Sequence, residues 1–175
     1  MHSETLRCGL LGRTLGHSYS PAIHAQLADY AYSLYEKEPE ELERFLHSGD
    51  FDGLNVTIPY KKAVLPFCDE LGERARLSGS VNTLVRRADG SIYGDNTDMF
   101  GFESLLRVNG IDPAGMKALV LGNGGACASV RAVLDSCIKN LYLSDVPSAE
   151  AIFKKNDDAA DCPQGVVGAI SIRIQ

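Results

Sequence analysis

Apolar residues along this chain fall into short runs separated by polar turns, and the runs alternate between strand and helix spacing. Leu6 to Gly12 is a short apolar run ending in glycine and predicts a buried strand. After a loop through Tyr19, Ser20-Pro21 predicts a helix start, with serine as cap and proline in the first turn. That helix is expected to reach about Tyr30, and Ala31 to Tyr35 predicts the second strand. Pro39 to His47 opens on proline and acids and carries Leu42, Phe45 and Leu46 at helical spacing. Gly53 to Ile58 predicts a third strand, and Tyr60 to Ser78 a largely helical stretch broken near Pro66. Ser80 to Arg86 and Ser91 to Gly94 flank Ala88-Asp89-Gly90, a hairpin signal.

Strand followed by helix, repeated over the first eighty residues, implies βαβ units and an α/β fold with a mainly parallel sheet. Asp98 to Asn109 predicts a helix with Phe102, Leu105 and Leu106 on one face. Gly110-Ile111-Asp112-Pro113 then breaks the chain. A second strand–helix series follows: strand Lys117 to Leu121, helix Gly125 to Ser136, strand Leu141 to Leu143, helix Ser148 to Lys155. Val166 to Ile174 could add one more strand.

Composition narrows the classes of partner. Seventeen basic against twenty-three acidic residues give a net charge of −6. Nucleic acid and anionic membrane surfaces both call for a basic footprint, so neither is expected as a partner. A small anion held by local donors remains compatible. The five cysteines, Cys8, Cys68, Cys127, Cys137 and Cys162, are odd in number and form no CxxC pair. That argues against a disulfide framework or a zinc site, and no other metal is expected; a reducing cytoplasm fits. No signal peptide and no bilayer-spanning run is read from the sequence.

Four segments carry candidate chemistry. Gly122-Asn123-Gly124-Gly125-Ala126-Cys127 follows an apolar strand and opens a helix. Glycines there let backbone approach a pyrophosphate, which the unpaired N–H groups of the helix start can bind. Asp145 ends the next strand, where an acid can accept from a ribose hydroxyl. Asn55-Val56-Thr57-Ile58-Pro59-Tyr60-Lys61 puts an amide, a hydroxyl and an amine near a strand end, with Asn55 and Thr57 on one side. Lys61 alone reads more simply as a solvated lysine. Gly94-Asp95-Asn96-Thr97-Asp98 joins a strand to a helix, where Asn and Asp commonly turn or cap the chain. Ser18 and Ser20 in His17-Ser18-Tyr19-Ser20-Pro21 either cap the following helix or offer hydroxyls to a carboxylate.

Taken together, these segments, with Gly9-Leu10-Leu11-Gly12 and Ser80-Val81-Asn82-Thr83, resemble the motifs of the shikimate dehydrogenase family in order and spacing, over residues 6 to about 145. The resemblance implies a shikimate-binding substrate domain, 1–103, followed by a partial Rossmann-like nucleotide-binding domain, 104–175, with an atypical tail from about 156. It implies reversible NADP-linked reduction of 3-dehydroshikimate to shikimate in aromatic amino-acid biosynthesis. By motif match Ser18 and Ser20 hold the substrate carboxylate, and Asn55, Thr57 and Asn82 bind ring hydroxyls. Lys61 and Asp98 match the catalytic pair. Gly122, Asn123, Gly124, Gly125, Ala126 and Asp145 fall to the cofactor.

Two departures qualify the match. Ser144-Asp145-Val146 stands where NADP-using members carry an Asn-Arg-Thr-like segment. An aspartate repels a 2′-phosphate and suits a free 2′-hydroxyl, which favours NAD. Beyond Lys155 the expected strand leading to an Asn-Ala-Thr-like segment is missing, so the nucleotide domain is expected to be incomplete. Two alternatives therefore stand beside the dehydrogenase: an inactive shikimate-binding remnant, and an NAD-preferring quinate or shikimate dehydrogenase.

Overall fold

The structure is a computed structural model that describes residues 6–121, 124–137 and 140–144. The chain forms two compact units that divide between Thr97 and Asp98.

The first unit is built on a six-stranded sheet. Its strands are β1 (Arg7–Gly12), β2 (Ala31–Glu36), β3 (Gly53–Val56), β4 (Glu70–Leu71), β5 (Thr83–Arg86) and β6 (Ile92–Asp95), in the order β2-β1-β3-β5-β6-β4. β1 pairs in parallel with β2 and β3, and β4 with β6. The hairpin strand β5 runs antiparallel to both β3 and β6. Strand alternation gives the sheet two unlike faces. Leu11, Leu54, Val56, Leu84 and Ile92 share a core with Leu42, Phe45 and Leu46 of α2 (Leu42–Ser48) and Ala75 of α3 (Glu73–Ser78). Phe51, Tyr60, Val64 and Val81 complete it. Each such side chain, fully buried, contributes about 1.5–3 kcal/mol relative to an exposed one. The register Leu10–Asn55–Thr83 sets these three on the opposite face. A polar asparagine can therefore sit mid-sheet without entering the core.

Arg86 seals the far end of this core. Its guanidinium donates to the carbonyls of Leu46 at 2.6 Å, Gly90 at 3.0 Å and Phe51 at 3.3 Å. The same group lies over the Phe51 ring, 4.5 Å from its centroid. Thus β5 holds both the end of α2 and the turn into β6.

Three expectations are corrected. Ser20 does not cap α1 (Ser20–Leu27): Tyr19 is the cap, without a side-chain bond, and the Ser20 N–H instead donates to Ser18 Oγ at 3.2 Å. The helix ends at Leu27, short of Tyr30, because Ala31 N–H is taken by the Leu6 carbonyl at the start of the β1–β2 ladder. Strand pairing overrides local helix propensity there. The stretch Tyr60 to Ser78 is not mainly helical. It runs as turns, a single 3-10 turn (Leu65–Phe67), the short strand β4, and only then α3. Asp69 explains the interruption: its carboxylate accepts from Ile92 N–H at 2.7 Å and its own N–H donates to the Ile92 carbonyl. That pair draws the chain onto β6. Pro39 to His47 likewise divides into a 3-10 turn (Pro39–Glu41) and α2.

The second unit contains α4 (Thr97–Val108, shared at its first residue), β7 (Lys117–Leu121), α5 (Gly125–Leu134) and β8 (Asn140–Ser144). β7 and β8 pair in parallel across α5, so this is a βαβ unit. Met99, Phe102 and Leu106 of α4 pack with Val130, Val133 and Leu134 of α5. The expected helix Ser148 to Lys155 and strand Val166 to Ile174 lie outside the described residues. Among the described residues no helix is long and apolar enough to cross a membrane.

Candidate functional site

The carboxyl ends of β1 and β3 lie side by side, and β5, running the other way, begins beside them. Ligand sites in α/β sheets form at this end of the strands. β1 ends at Gly12, which is buried, and a Cβ there would stand 2.6 Å from Leu15 Cδ2 and 2.8 Å from Thr57 Cγ2. Glycine thus lets the loop after β1 lie against Thr57. Leu15 is buried, its N–H donates to Glu36 Oε1 at 2.6 Å, and its carbonyl accepts from Ser18 N–H at 2.9 Å. These bonds fix the stretch that carries Ser18 and Ser20, both half-buried.

Asn55 lies within β3, and Thr57 follows its last residue. The Thr57 N–H donates to the Leu11 carbonyl at 2.9 Å, and the Thr57 carbonyl accepts from Tyr60 N–H at 2.8 Å. The Ile58–Pro59 peptide is cis. Lys61 is half-buried, and its carbonyl accepts from Val81 N–H at 2.7 Å. Its neighbourhood is therefore joined to the segment entering β5. There the Asn82 carbonyl accepts from Val56 N–H at 2.7 Å. The Asn82 side chain is 8% exposed. Its Oδ1 accepts from Thr97 N–H at 2.9 Å, and its Nδ2 donates to Thr97 Oγ1 at 2.9 Å.

Three further residues support this cluster; of them only Asn96 falls in a segment that the sequence marks, Gly94 to Asp98. Tyr32 donates its hydroxyl proton to Asn55 Oδ1 at 2.8 Å. Burial pushes the Tyr32 phenol up to about 12, with the nearby Ser20 hydroxyl acting in the opposite direction, so it is a proton donor at neutral pH. His24 stacks on Tyr32 with ring centroids 3.8 Å apart, and its Nδ1 bonds the Tyr30 hydroxyl. Asn96 is fully buried, donating from Nδ2 to Ser78 Oγ at 2.9 Å and to Ser80 Oγ at 2.8 Å. It pins the turn that leads to Asn82.

The structure thus brings Ser18, Ser20, Asn55, Thr57, Lys61 and Asn82 to one end of the first unit's sheet. Asp98, half-buried, is the second residue of α4 and belongs to the other unit. Gly124 caps α5 in an extended conformation, Gly125 opens the helix, and Ala126 is half-buried in its first turn. N–H groups in the first turn of such a helix are suited to an anion. Gly122, Asn123 and Asp145 lie outside the described residues.

Residues 10–84 match the model of the shikimate dehydrogenase substrate binding domain. A shikimate dehydrogenase (NADP(+)) of Rubrobacter xylanophilus is 45% identical over 139 residues, covering 75% of this chain and 49% of that protein. Shikimate dehydrogenase 1 of Peptoclostridium difficile has a solved structure that superposes with a TM-score of 0.75 at 34% identity, over 79% of this chain and 54% of that one. A shikimate 5-dehydrogenase of Thermus thermophilus, solved in complex with shikimate, gives 0.71 at 30% identity, over 87% of this chain and 61% of that one. The chain spans about half the length of curated relatives that it matches.

Proposed function

Because this chain belongs to the shikimate dehydrogenase family, we propose that it serves the reversible NADP-linked interconversion of 3-dehydroshikimate and shikimate in the cytoplasm. In this reading residues 1–103 form the substrate domain and 104–175 a partial nucleotide-binding domain. The observation that carries it is the convergence of the motif-matched polar residues at the carboxyl ends of β1 and β3, under a network that ties Asn55 to Tyr32 and Asn82 to Thr97.

The roles follow from the donors available. Ser18 and Ser20 take the carboxylate of the substrate, and Asn55, Thr57 and Asn82 take its ring hydroxyls. The nicotinamide cofactor, when bound, supplies or accepts the hydride. Lys61 stabilises the charge that develops on the substrate oxygen and moves the proton to or from it. Asp98 orients lysine and hydroxyl. Gly122, Asn123, Gly124, Gly125 and Ala126 hold the pyrophosphate at the start of α5. Asp145 favours a free 2′-hydroxyl, so NAD in place of NADP is a second reading, separable by titrating the two cofactors side by side.

The test is calorimetric titration of this chain with shikimate and with its methyl ester. Shikimate is expected to bind, and the ester to bind more weakly by about 1–3 kcal/mol, the range for a hydrogen bond to a charged group. Equal affinity for the two would remove the serines from a carboxylate site.

A further inference from the structure

Asn55 has an amide that presents a donor on one side and an acceptor on the other, and a half-turn about its last bond exchanges them. Something must decide which side a ligand meets. Tyr32 and Asn55 come from strands that are not neighbours: β2 and β3 flank β1. The register sets Tyr32 beside Cys8 and Asn55 beside Leu10, two positions further along β1 and hence on the same face. Opposite Cys8 on β3 stands Gly53, which has no side chain. The tyrosine can therefore reach diagonally across β1 to place its oxygen 2.8 Å from Asn55 Oδ1. Its ring is held from the other side by His24, stacked at 15° between planes, and His24 is in turn bonded to Tyr30.

We infer that Tyr32 is a positioning residue, which by holding Asn55 Oδ1 on the β2 side fixes the amide so that Asn55 turns its donor, Nδ2, toward the ligand. The inference rests on the proposed shikimate site. It favours an oxygen acceptor at this point: a ring hydroxyl facing Nδ2 receives the hydrogen bond from Asn55 and directs its own proton elsewhere. A tyrosine suits the task because burial keeps it protonated well above neutral pH. The stacked histidine limits its ring rotation, so the amide is ordered before the ligand arrives and its ordering entropy need not be lost on binding.

The experiment is shikimate calorimetry on four forms of this chain: wild type, Tyr32→Phe, Asn55→Ala and the double variant, with thermal melts alongside. Tyr32→Phe keeps the ring and its stacking and removes only the hydroxyl. It is expected to weaken shikimate about three- to tenfold, the worth of one net hydrogen bond, and to add nothing in the Asn55→Ala background. An acceptor-only side chain, Asn55→Asp, is expected to bind at least as poorly as Asn55→Ala while Tyr32 is intact, a result available even where Tyr32→Phe does not fold. Wild-type affinity in Tyr32→Phe, additive losses in the double variant, or retained binding in Asn55→Asp would overturn the positioning role alone. A neutral Asn55→Ala, or a wild type that binds no shikimate, would overturn the substrate reading and this inference with it.

Discussion

Asn82 grips Thr97 from both ends of its amide, accepting from the Thr97 N–H and donating to the Thr97 hydroxyl, each at 2.9 Å. Thr97 is the first residue of α4, so an asparagine fifteen residues upstream satisfies one of the helix's unpaired N–H groups. Asn82→Ala is expected to cost about 0.5–2 kcal/mol of stability, as the loss of a helix cap does, and to weaken shikimate as well. Chemical denaturation and calorimetry on one preparation check both. A variant with full stability would show that water replaces the amide.

Gly12→Ala forces a methyl group against Leu15 and Thr57, 2.6 and 2.8 Å away. Overpacking of this kind costs about 1–3 kcal/mol, and here relief moves either the serine loop or Thr57. The expected outcome is a folded protein with a lowered denaturation midpoint and weaker shikimate binding. Unchanged affinity would mean that the loop can shift without disturbing the donors.

Arg86 ties three carbonyls from separate segments and covers Phe51. Arg86→Ala removes the donors and leaves half-buried acceptors behind, an expected loss of about 1–3 kcal/mol. Arg86→Lys is expected to recover only part of it, since a single ammonium cannot serve three divergent carbonyls in the plane of a guanidinium. Urea midpoints for the two variants provide the comparison, and full recovery by lysine would count against the planar-fork account.

The Cys68 thiol is pushed up to about 11 from 9.0, first by burial and second by the neighbouring Asp69 charge. The folded state prefers the neutral thiol, so its contribution is complete below about 9 and is lost as pH rises toward 11. Tyr32, raised from 10.0 to about 12, adds a loss of the same sign in the next window. Stability is therefore expected to fall between pH 9 and 12. Cys68 should also resist alkylation at pH 8 far better in native than in urea-unfolded protein. Equal alkylation rates in the two states would contradict the burial argument.

Much of the fold could be read from spacing because the relevant forces are local. Leu42, Phe45 and Leu46 recur at helical intervals and do form the buried face of α2. Ala88-Asp89-Gly90 does reverse the chain between β5 and β6. The stretch after Tyr60 departs from its helical spacing because its outcome depends on a partner distant in sequence: Asp69 bonds Ile92, twenty-three residues on, and nothing near Asp69 announces it. The donors of the first unit stand out in the sequence only as a set in motif order, since Lys61 alone reads as a solvated lysine. Their supports do not. Tyr32 and His24 act through contacts between a helix and separate strands, and a tyrosine on a half-buried strand carries no sign of which amide it will hold.

The strand order β2-β1-β3-β5-β6-β4 also ranks the sheet by how readily its backbone protons leave for solvent. Among the described residues β2 is an edge strand, bonded to a neighbour along one side, whereas β3 is bonded on both sides. Edge amides exchange through small local openings and interior ones through larger ones. The Tyr32–Asn55 bond runs between these two regimes, spanning β1 to join the loosest kind of strand to a tight one. A ligand that requires the Asn55 donor would therefore draw on the order of β2 without touching it, and deuterium uptake in Ala31–Glu36 would slow when shikimate binds at the other end of that bond.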